Sequence, residues 1–322
     1  MRQVYLLCKR STYKYFDEYI DNLSYYHPNF IYNLIIYSTE SNLIKQMTSV
    51  NRAVIISIRD MPNYLKRPSD NIKLYLNTEQ YVKQFRTNEH GEPFITVIRK
   101  YYNGIIDYSL TNIRNMKRGG IKTNFFYLPY LFNPSENIYK CTEERRINNV
   151  PRRIDVGMIP VNSERRENIY QNLKKNLPHT SKVRRLSGFG KERDEDLSRC
   201  KILVNIHIEK EYNIFETMRC HRLLYDRVII ISETSRDWTL DHHLNKYVIF
   251  ADYDNIFSTV ADVLSNYDYY HQKIFSDFDD EKYREIEKNT AKEFTENIIT
   301  FVENIDSKEN SAIEVVEGFS SS

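Results

Sequence analysis

The residues best equipped for chemistry lie between positions 200 and 233. Two apolar runs, 203–208 and 228–231, bracket His207, Glu209, Glu211, Asn213, Glu216 and Arg219. Both runs are short and β-branched, as strands inside a parallel sheet are. The stretch 214–226 follows a helical period. At about 100° per residue, Ile214, Met218 and Tyr225 share one side, while Glu216, Arg219 and Leu223 share another. Strand, helix and strand in so short a span imply a right-handed βαβ crossover. Ligands of open α/β sheets bind where strands end and helices begin, and a purely structural loop seldom needs so many ionisable groups. In the first half, Asp60, Glu79 and Asp107 each follow an apolar run and are candidate general bases toward a hydroxyl. Asp252-Tyr253-Asp254 has the spacing of a metal-binding carboxylate pair. Asp254, however, also stands where it would cap a helix expected over 255–264.

Positioning these groups takes two alternating series of strands and helices. Strands are expected at 3–8, 33–38, 53–58, 72–77, 104–108 and 124–128. Helices are expected at 13–22, 42–48, 80–86 and 112–118, the last stopped by Gly119-Gly120. A polar stretch with Pro134 and Pro151, 134–153, reads as a linker with room for a short helix. The second series has strands at 154–159, 182–186, 203–208, 228–231 and 247–251. Its helices are 164–177 behind Ser163 as cap, 194–200, 214–226 and 255–264, with helical period again over 269–305. Alternation of this kind argues for doubly wound parallel sheets. The expected units are 1–145, 150–270, C-terminal helices over 271–306 and a disordered polar tail, 307–322.

Composition narrows the function classes. With 46 basic and 44 acidic residues among 322, the net charge is +2, which gives no global electrostatic case for nucleic acid or an anionic membrane. The doublets Arg145-Arg146, Arg152-Arg153, Arg165-Arg166 and Arg184-Arg185 keep a local anion site open. Cys8, Cys141, Cys200 and Cys220 show no metal-ligand spacing and read as reduced thiols. There is no signal peptide and no apolar span of membrane length, so a cytoplasmic protein is expected. The 26 tyrosines and only 8 glycines suggest an AT-rich genome.

Several segments, in order, resemble the GT-B glycosyltransferases of group-1 type with a short first domain, which have members in bacteria and large DNA viruses. LYLNTEQ from Leu74 to Gln80 resembles their NxEQ strand end, and IDYSLTN from Ile106 to Asn112, with Gly119-Gly120 and Leu128-Pro129, their DYSxxN block. VGMIPVNSERR from Val156 to Arg166 resembles the glycine-bearing turn and arginine pair that open the donor domain. The stretch 203–216 and Ile231-Ser232-Glu233 resemble their NxH…E…R and xSE blocks. The likeness covers roughly residues 70 to 260. Glu209 and Glu216 stand one residue closer than the paired glutamates of many retaining members, and the first-domain glycine-rich loop is missing.

The resemblance implies an α/β fold of two Rossmann-like domains facing across a cleft. It implies transfer of a sugar from a nucleotide-sugar donor to a glycan, lipid or protein hydroxyl, with no essential metal. A non-catalytic nucleotide-sugar or partner-binding module of the same fold is the alternative. Donor-binding candidates are Ser163, Arg165, Arg166, Gly188, Phe189, His207, Glu211, Asn213, Glu216, Arg219, Ser232 and Glu233. Catalytic candidates are Asp60, Glu79, Asp107 and His207. Arginines and helix N-termini suit diphosphate, and the Glu216 carboxylate suits ribose hydroxyls. Bland readings compete: a solvated arginine doublet, an acid favoured by the helix dipole or paired with Arg219, and a structural His207. His221 and Arg222 read as structural.

Overall fold

The computed structural model describes residues 2–26, 32–81, 93–159, 163–236 and 242–320, with side chains up to 308. Its first sheet comprises β1 (Val4–Lys9), β2 (Tyr32–Tyr37), β3 (Val54–Ile58), β4 (Ile72–Asn77), β5 (Gly104–Asp107) and β6 (Asn124–Tyr127), in the order β2-β1-β3-β4-β5-β6. The second comprises β7 (Ile154–Met158), β8 (Val183–Arg185), β9 (Cys200–Asn205), β10 (Ile229–Glu233) and β11 (Val248–Ala251), in the order β11-β10-β9-β7-β8. Every strand pair is parallel.

A parallel sheet is covered on both faces, so its strands are apolar on both. In the first sheet, Leu6, Ile56, Leu76 and Ile106 enter one core while Leu7, Ile55, Tyr75 and Ile105 enter another. The helices Glu40–Met47, Phe94–Tyr101 and Leu110–Arg118 roof the second of these through Leu43, Ile98 and Met116. The first is roofed by the helix Asp17–Tyr26 and, from the far end of the chain, by Ala291, Phe294, Ile298 and Val302 of the helix Asp280–Ser320. That helix carries the backbone on through Ser320; of the tail expected to be disordered over 307–322, residues 321 and 322 lie outside the described residues.

Other differences are local. The helix expected at 13–22 is two, Arg10–Tyr13 and Asp17–Tyr26. The helix Phe94–Tyr101 was not expected, because FITVIRKY is as β-branched as the strands. In the segment expected to be helical at 80–86, Gln80 and Tyr81 are not, and the rest lies outside the described residues. The linker holds the helix Asn137–Ile147. Cys200 opens β9 instead of ending a helix, and β9 stops at Asn205, so His207 stands in the loop beyond it. Gly157 lies inside β7 and not in a turn; a Cβ there would meet Cys200 Sγ and Leu186 Cδ1 at 2.7 Å. Gly120, at φ +87°, supplies the left-handed stop after Leu110–Arg118. The helix after β11 begins behind Asn255, and Asp254 falls in a short 3-10 turn rather than capping it. All four cysteines are free and buried.

Between the sheets lies a closed ionic network. Arg222, in the helix Thr217–Leu224, pairs with Asp194 of the helix Gly190–Ser198 at 2.5 Å and with Glu18 of the first unit. Its Nε is 3.7 Å from Glu136, and Arg193 lies 3.6 Å from Asp194. Glu136 also accepts from Tyr130 at 2.6 Å. Burial is the main reason that the Glu136 carboxyl is pushed up to about 8 and that of Asp194 to about 6.

Candidate functional site

The carboxyl ends of β9 and β10 hold a linked set of charged groups. His207 is 1% exposed. Its N–H donates to Glu233 Oε2 at 3.1 Å, and its Nε2 lies 3.2 Å from Ser235 Oγ. Burial holds the imidazole below its usual pKa, against the pull of Glu233 and Glu216, so the ring is neutral near neutral pH. Arg165 pairs with Glu233, and its guanidinium stacks 4.2 Å over Tyr253, whose hydroxyl donates to the Arg165 carbonyl at 2.9 Å. Arg166 donates to the Ile206 carbonyl at 2.6 Å and to Glu216 Oε1 at 2.8 Å. Glu216 takes its second cation from Arg219, which also donates to Asn205 Oδ1 at 3.2 Å.

Local sequence explains this convergence. Ser163 caps the helix Glu164–Asn176 by accepting from Arg166 N–H, and its hydroxyl donates to the Ile208 carbonyl at 2.7 Å. The cap thus ties the start of one helix to the loop after β9 and places both arginines beside it. Glu216 occupies the N-cap position of Thr217–Leu224 without a capping bond from its side chain. Three guanidinium groups face two carboxylates, 3 − 2 leaving one positive charge over a neutral His207. His207 Nδ1, Thr217 Oγ1 and Arg165 Nε are buried and have no hydrogen-bond partner among the described residues.

The first sheet presents a different picture. Asp107 is 0% exposed, and it accepts from Ser109 N–H at 2.9 Å, Asn112 Nδ2 at 2.8 Å and Asn77 Nδ2. A carboxylate so enclosed organises the strand end and cannot reach a ligand hydroxyl. Asp60 is half-buried and accepts from Thr12 Oγ1 at 3.4 Å. Glu79 is half-exposed, 3.4 Å from Arg59.

The two units touch at this level. Gln80 Nε2 donates to the Ile214 carbonyl at 2.6 Å, and Ile214 N–H donates back to Gln80 Oε1 at 2.8 Å. Beside this clasp is a cleft of about 620 Å³, lined by Asn115 and Arg118 from one side and by Lys210, Glu211, Asn213 and Arg236 from the other. That volume suits a small ligand.

The structure therefore gathers Ser163, Arg165, Arg166, His207, Glu216, Arg219, Ser232 and Glu233, and it sets Glu211 and Asn213 on the cleft rim. Ser232 is fully buried between Asn205 Nδ2 and the Glu233 carbonyl, a tie between strands. Gly188, at φ +92°, and Phe189 stand apart. Phe189 packs edge-on to Tyr15 of the first unit at 4.8 Å, with Lys14 Nζ 4.9 Å above its ring. Asp252 accepts from Thr234 Oγ1 at 3.0 Å beside the edge strand β11. Sequence reasoning missed Gln80, Asn205, Ser235 and Tyr253. Two of them carried a signal: Gln80 as the last residue of the NxEQ segment and Asn205 as the first of the NxH block.

No known family model matches the chain. Among Acanthamoeba polyphaga mimivirus proteins, it is 30% identical to Uncharacterized protein R358 over 235 residues, 71% of this chain and 75% of that one. It is 27% identical to Uncharacterized protein L140 over 88% of this chain and 87% of that one. Uncharacterized protein L138 is 29% identical over 81% of this chain, which spans only 29% of that larger protein. Among solved structures it is similar to Anabaena HepE in complex with UDP-glucose (TM-score 0.55, 9% identity, 97% of this chain and 100% of that one). It is equally similar to sucrose-phosphate synthase from Thermosynechococcus elongatus (TM-score 0.55, 9% identity, 100% of both chains). The fold is GT-B: two Rossmann-like domains with parallel sheets.

Proposed function

We propose a glycosyltransferase activity for this chain, which belongs to the family of the mimivirus protein R358. It would move a sugar from a nucleotide-sugar donor to an acceptor hydroxyl without an essential metal. The observation that carries this reading is the array at the ends of β9 and β10. It has a surplus positive charge, side chains of Arg165, Glu216 and Arg219 that are 21–23% exposed, and buried polar atoms left for a ligand.

In this reading Arg165 and Arg219, with the positive end of the helix Thr217–Leu224, hold the leaving diphosphate. Arg166, anchored to the Ile206 carbonyl, holds Glu216 toward the ribose hydroxyls. His207 has two tautomers to offer. With the Ser235 hydroxyl given to the Glu233 carbonyl, Nε2–H donates to Ser235 and Nδ1 accepts from a sugar hydroxyl. With the Ser235 hydroxyl given to Nε2, Nδ1–H donates to phosphate. The base toward the acceptor falls to Asp60 or Glu79, since Asp107 is saturated. That saturation also favours the alternative, a module that binds the donor without turnover.

HepE, of the same fold, was solved with UDP-glucose, so uridine donors head a thermal-shift panel of nucleotide sugars. A ligand at about 100 times its Kd should stabilise the protein by about 2.7 kcal/mol. A panel that shifts nothing overturns the reading, and binding without release of nucleoside diphosphate in the presence of acceptors selects the module. Transfer should survive brief EDTA treatment, and Asp252→Asn should change it by no more than about 0.5 kcal/mol. Activity abolished by EDTA and restored by Mn²⁺ would move the site to Asp252 and Asp254.

A further inference from the structure

His242, His243 and Glu287 bring three donor atoms within 4.8 Å of one another. The histidines open the 3-10 turn His243–Tyr247 before β11, and Glu287 comes from the second turn of Asp280–Ser320. Among the described residues neither buried imidazole Nε2 has a hydrogen-bond partner of normal geometry, though the His242 ring lies against the backbone of Tyr130. His243 Nε2 is 3.7 Å from Glu287 Oε1. The rings form a column, with His221 on His242 at 4.1 Å and His242 on His243 at 4.2 Å between centroids. His221 is already committed through Nε2 to Asn245 Oδ1 at 2.9 Å.

Glu287 is 1% exposed, and its oxygens accept from Tyr225 Oη at 2.7 Å and Phe132 N–H at 2.5 Å. A buried carboxylate, already held by two donors, thus stands with two imidazoles whose Nε2 atoms hydrogen-bond to no other side chain among the described residues, all within reach of one cation.

We propose that His242, His243 and Glu287 form a binding site for a divalent first-row metal ion, Zn²⁺ by its donor set. Two neutral imidazoles and one carboxylate suit zinc, with water in the fourth position. The bonds from Tyr225 and Phe132 fix the carboxylate, as supporting hydrogen bonds do at metal sites. Zinc bonds of about 2.0–2.2 Å in a tetrahedron hold donor atoms roughly 3.4 Å apart, so the site closes by rotation of the rings. His242 must then keep its proton on Nδ1 and give up the 3.2 Å bond it accepts from Leu244 N–H. The His243 side chain, 24% exposed, provides the way in.

The site is not part of the transfer reading. Tyr225 lies nine residues beyond Glu216, about 13 Å along the helix axis. A metal here would tie the C-terminal helix, through Glu287, to the turn before β11, beside Phe132 where the chain leaves the first domain.

The test uses the full chain, stripped of metal by dialysis and titrated with Zn²⁺ against a chromophoric competitor. One Zn²⁺ per chain is expected, with Co²⁺ giving the visible bands of a four-coordinate ion. His243→Ala and Glu287→Gln should each weaken binding beyond the roughly 10–100-fold expected for Tyr225→Phe, which removes only a supporting bond. His243→Cys should retain the ion, and His179→Ala at an exposed histidine should change nothing. Circular dichroism establishes that each variant folds; if Glu287→Gln does not, His242→Ala and His243→Ala decide. No bound Zn²⁺, or affinity indifferent to both histidines, overturns the proposal. His243→Ala should still bind UDP wherever the wild type does, so failure here is separable from failure of the transfer reading. Loss of thermal stability on prolonged chelation should be reversed by Zn²⁺ and not by Mn²⁺.

Discussion

Two arginine–carboxylate networks lie at opposite ends of the helix Thr217–Leu224, and their contents differ less than their balance. At its start, Arg165, Arg166 and Arg219 meet Glu216 and Glu233, with a cation to spare. Further along, Arg222 and Arg193 meet Glu18, Asp194 and Glu136, with an acid to spare. Side chains of the first set reach 21–23% exposure at three positions, whereas in the second Glu18 and Arg193 stand at the rim, 22% and 16% exposed, and Arg222, Asp194 and Glu136 are 0–6% exposed. A surplus cation near solvent is available to an anionic ligand. The acids buried between the domains take up a proton more readily, and burial raises the carboxyls of Glu136 and Asp194. Ion pairs alone do not mark a ligand site; the charge left over and its access do.

The sharpest break in the comparison is Arg222→Met. Removing the cation leaves buried carboxylates uncompensated, and the cost should be about 3–5 kcal/mol of folding stability, read from urea midpoints. A loss below 1 kcal/mol would mean that the closed network is no more structural than the open one. Next comes Glu216→Gln in the open network. It should cost roughly 1–3 kcal/mol of donor binding with folding stability nearly unchanged, measured by calorimetric titration. Unaltered donor affinity in a folded variant would return Glu216 to a helix-start acid held by two arginines.

A third break concerns protons. The folded pKa of Glu136, about 8, lies above its ordinary value of 4.5, so the native state holds a proton that the unfolded chain releases. This contribution is complete below the unfolded value and is lost as pH rises toward the folded one. Wild-type stability should therefore fall between about pH 5 and 8, by at most about 1.4 kcal/mol per pH unit from this group. Glu136→Gln should flatten that slope, and an equal slope in both proteins would assign the titration elsewhere.

What the sequence disclosed and what it hid divide along one line. Strand-length runs rich in apolar residues, such as 72–77, and the cap at Ser163 are local signals, and the structure places both as expected. The clasp of Gln80 on Ile214 joins residues 134 apart, and Arg222 meets Glu18 across 204. No periodicity or propensity encodes such partners. Asp107 misled for a related reason. Its position after a strand matches that of a catalytic base, but the amides that saturate it come from Asn77 and Asn112, and the sequence says nothing of where they point. Phe189 was expected near a ligand, yet its contacts are Tyr15 and Lys14 of the other unit.

The C-terminal roof on the first sheet bears on how the protein is made. Leu131 is the last residue of the first unit to join the core that Ala291, Phe294, Ile298 and Val302 complete, and Ala291 follows it by 291 − 131 = 160 positions. At about 5–20 residues per second, a ribosome takes roughly 8–30 s to supply that helix. Throughout that interval the nascent first domain has only the helix Asp17–Tyr26 over this face, and the part that Ala291, Phe294, Ile298 and Val302 will cover stays open. The earliest part of the chain to emerge is thus among the last to finish folding, with an apolar surface exposed to aggregation while synthesis continues.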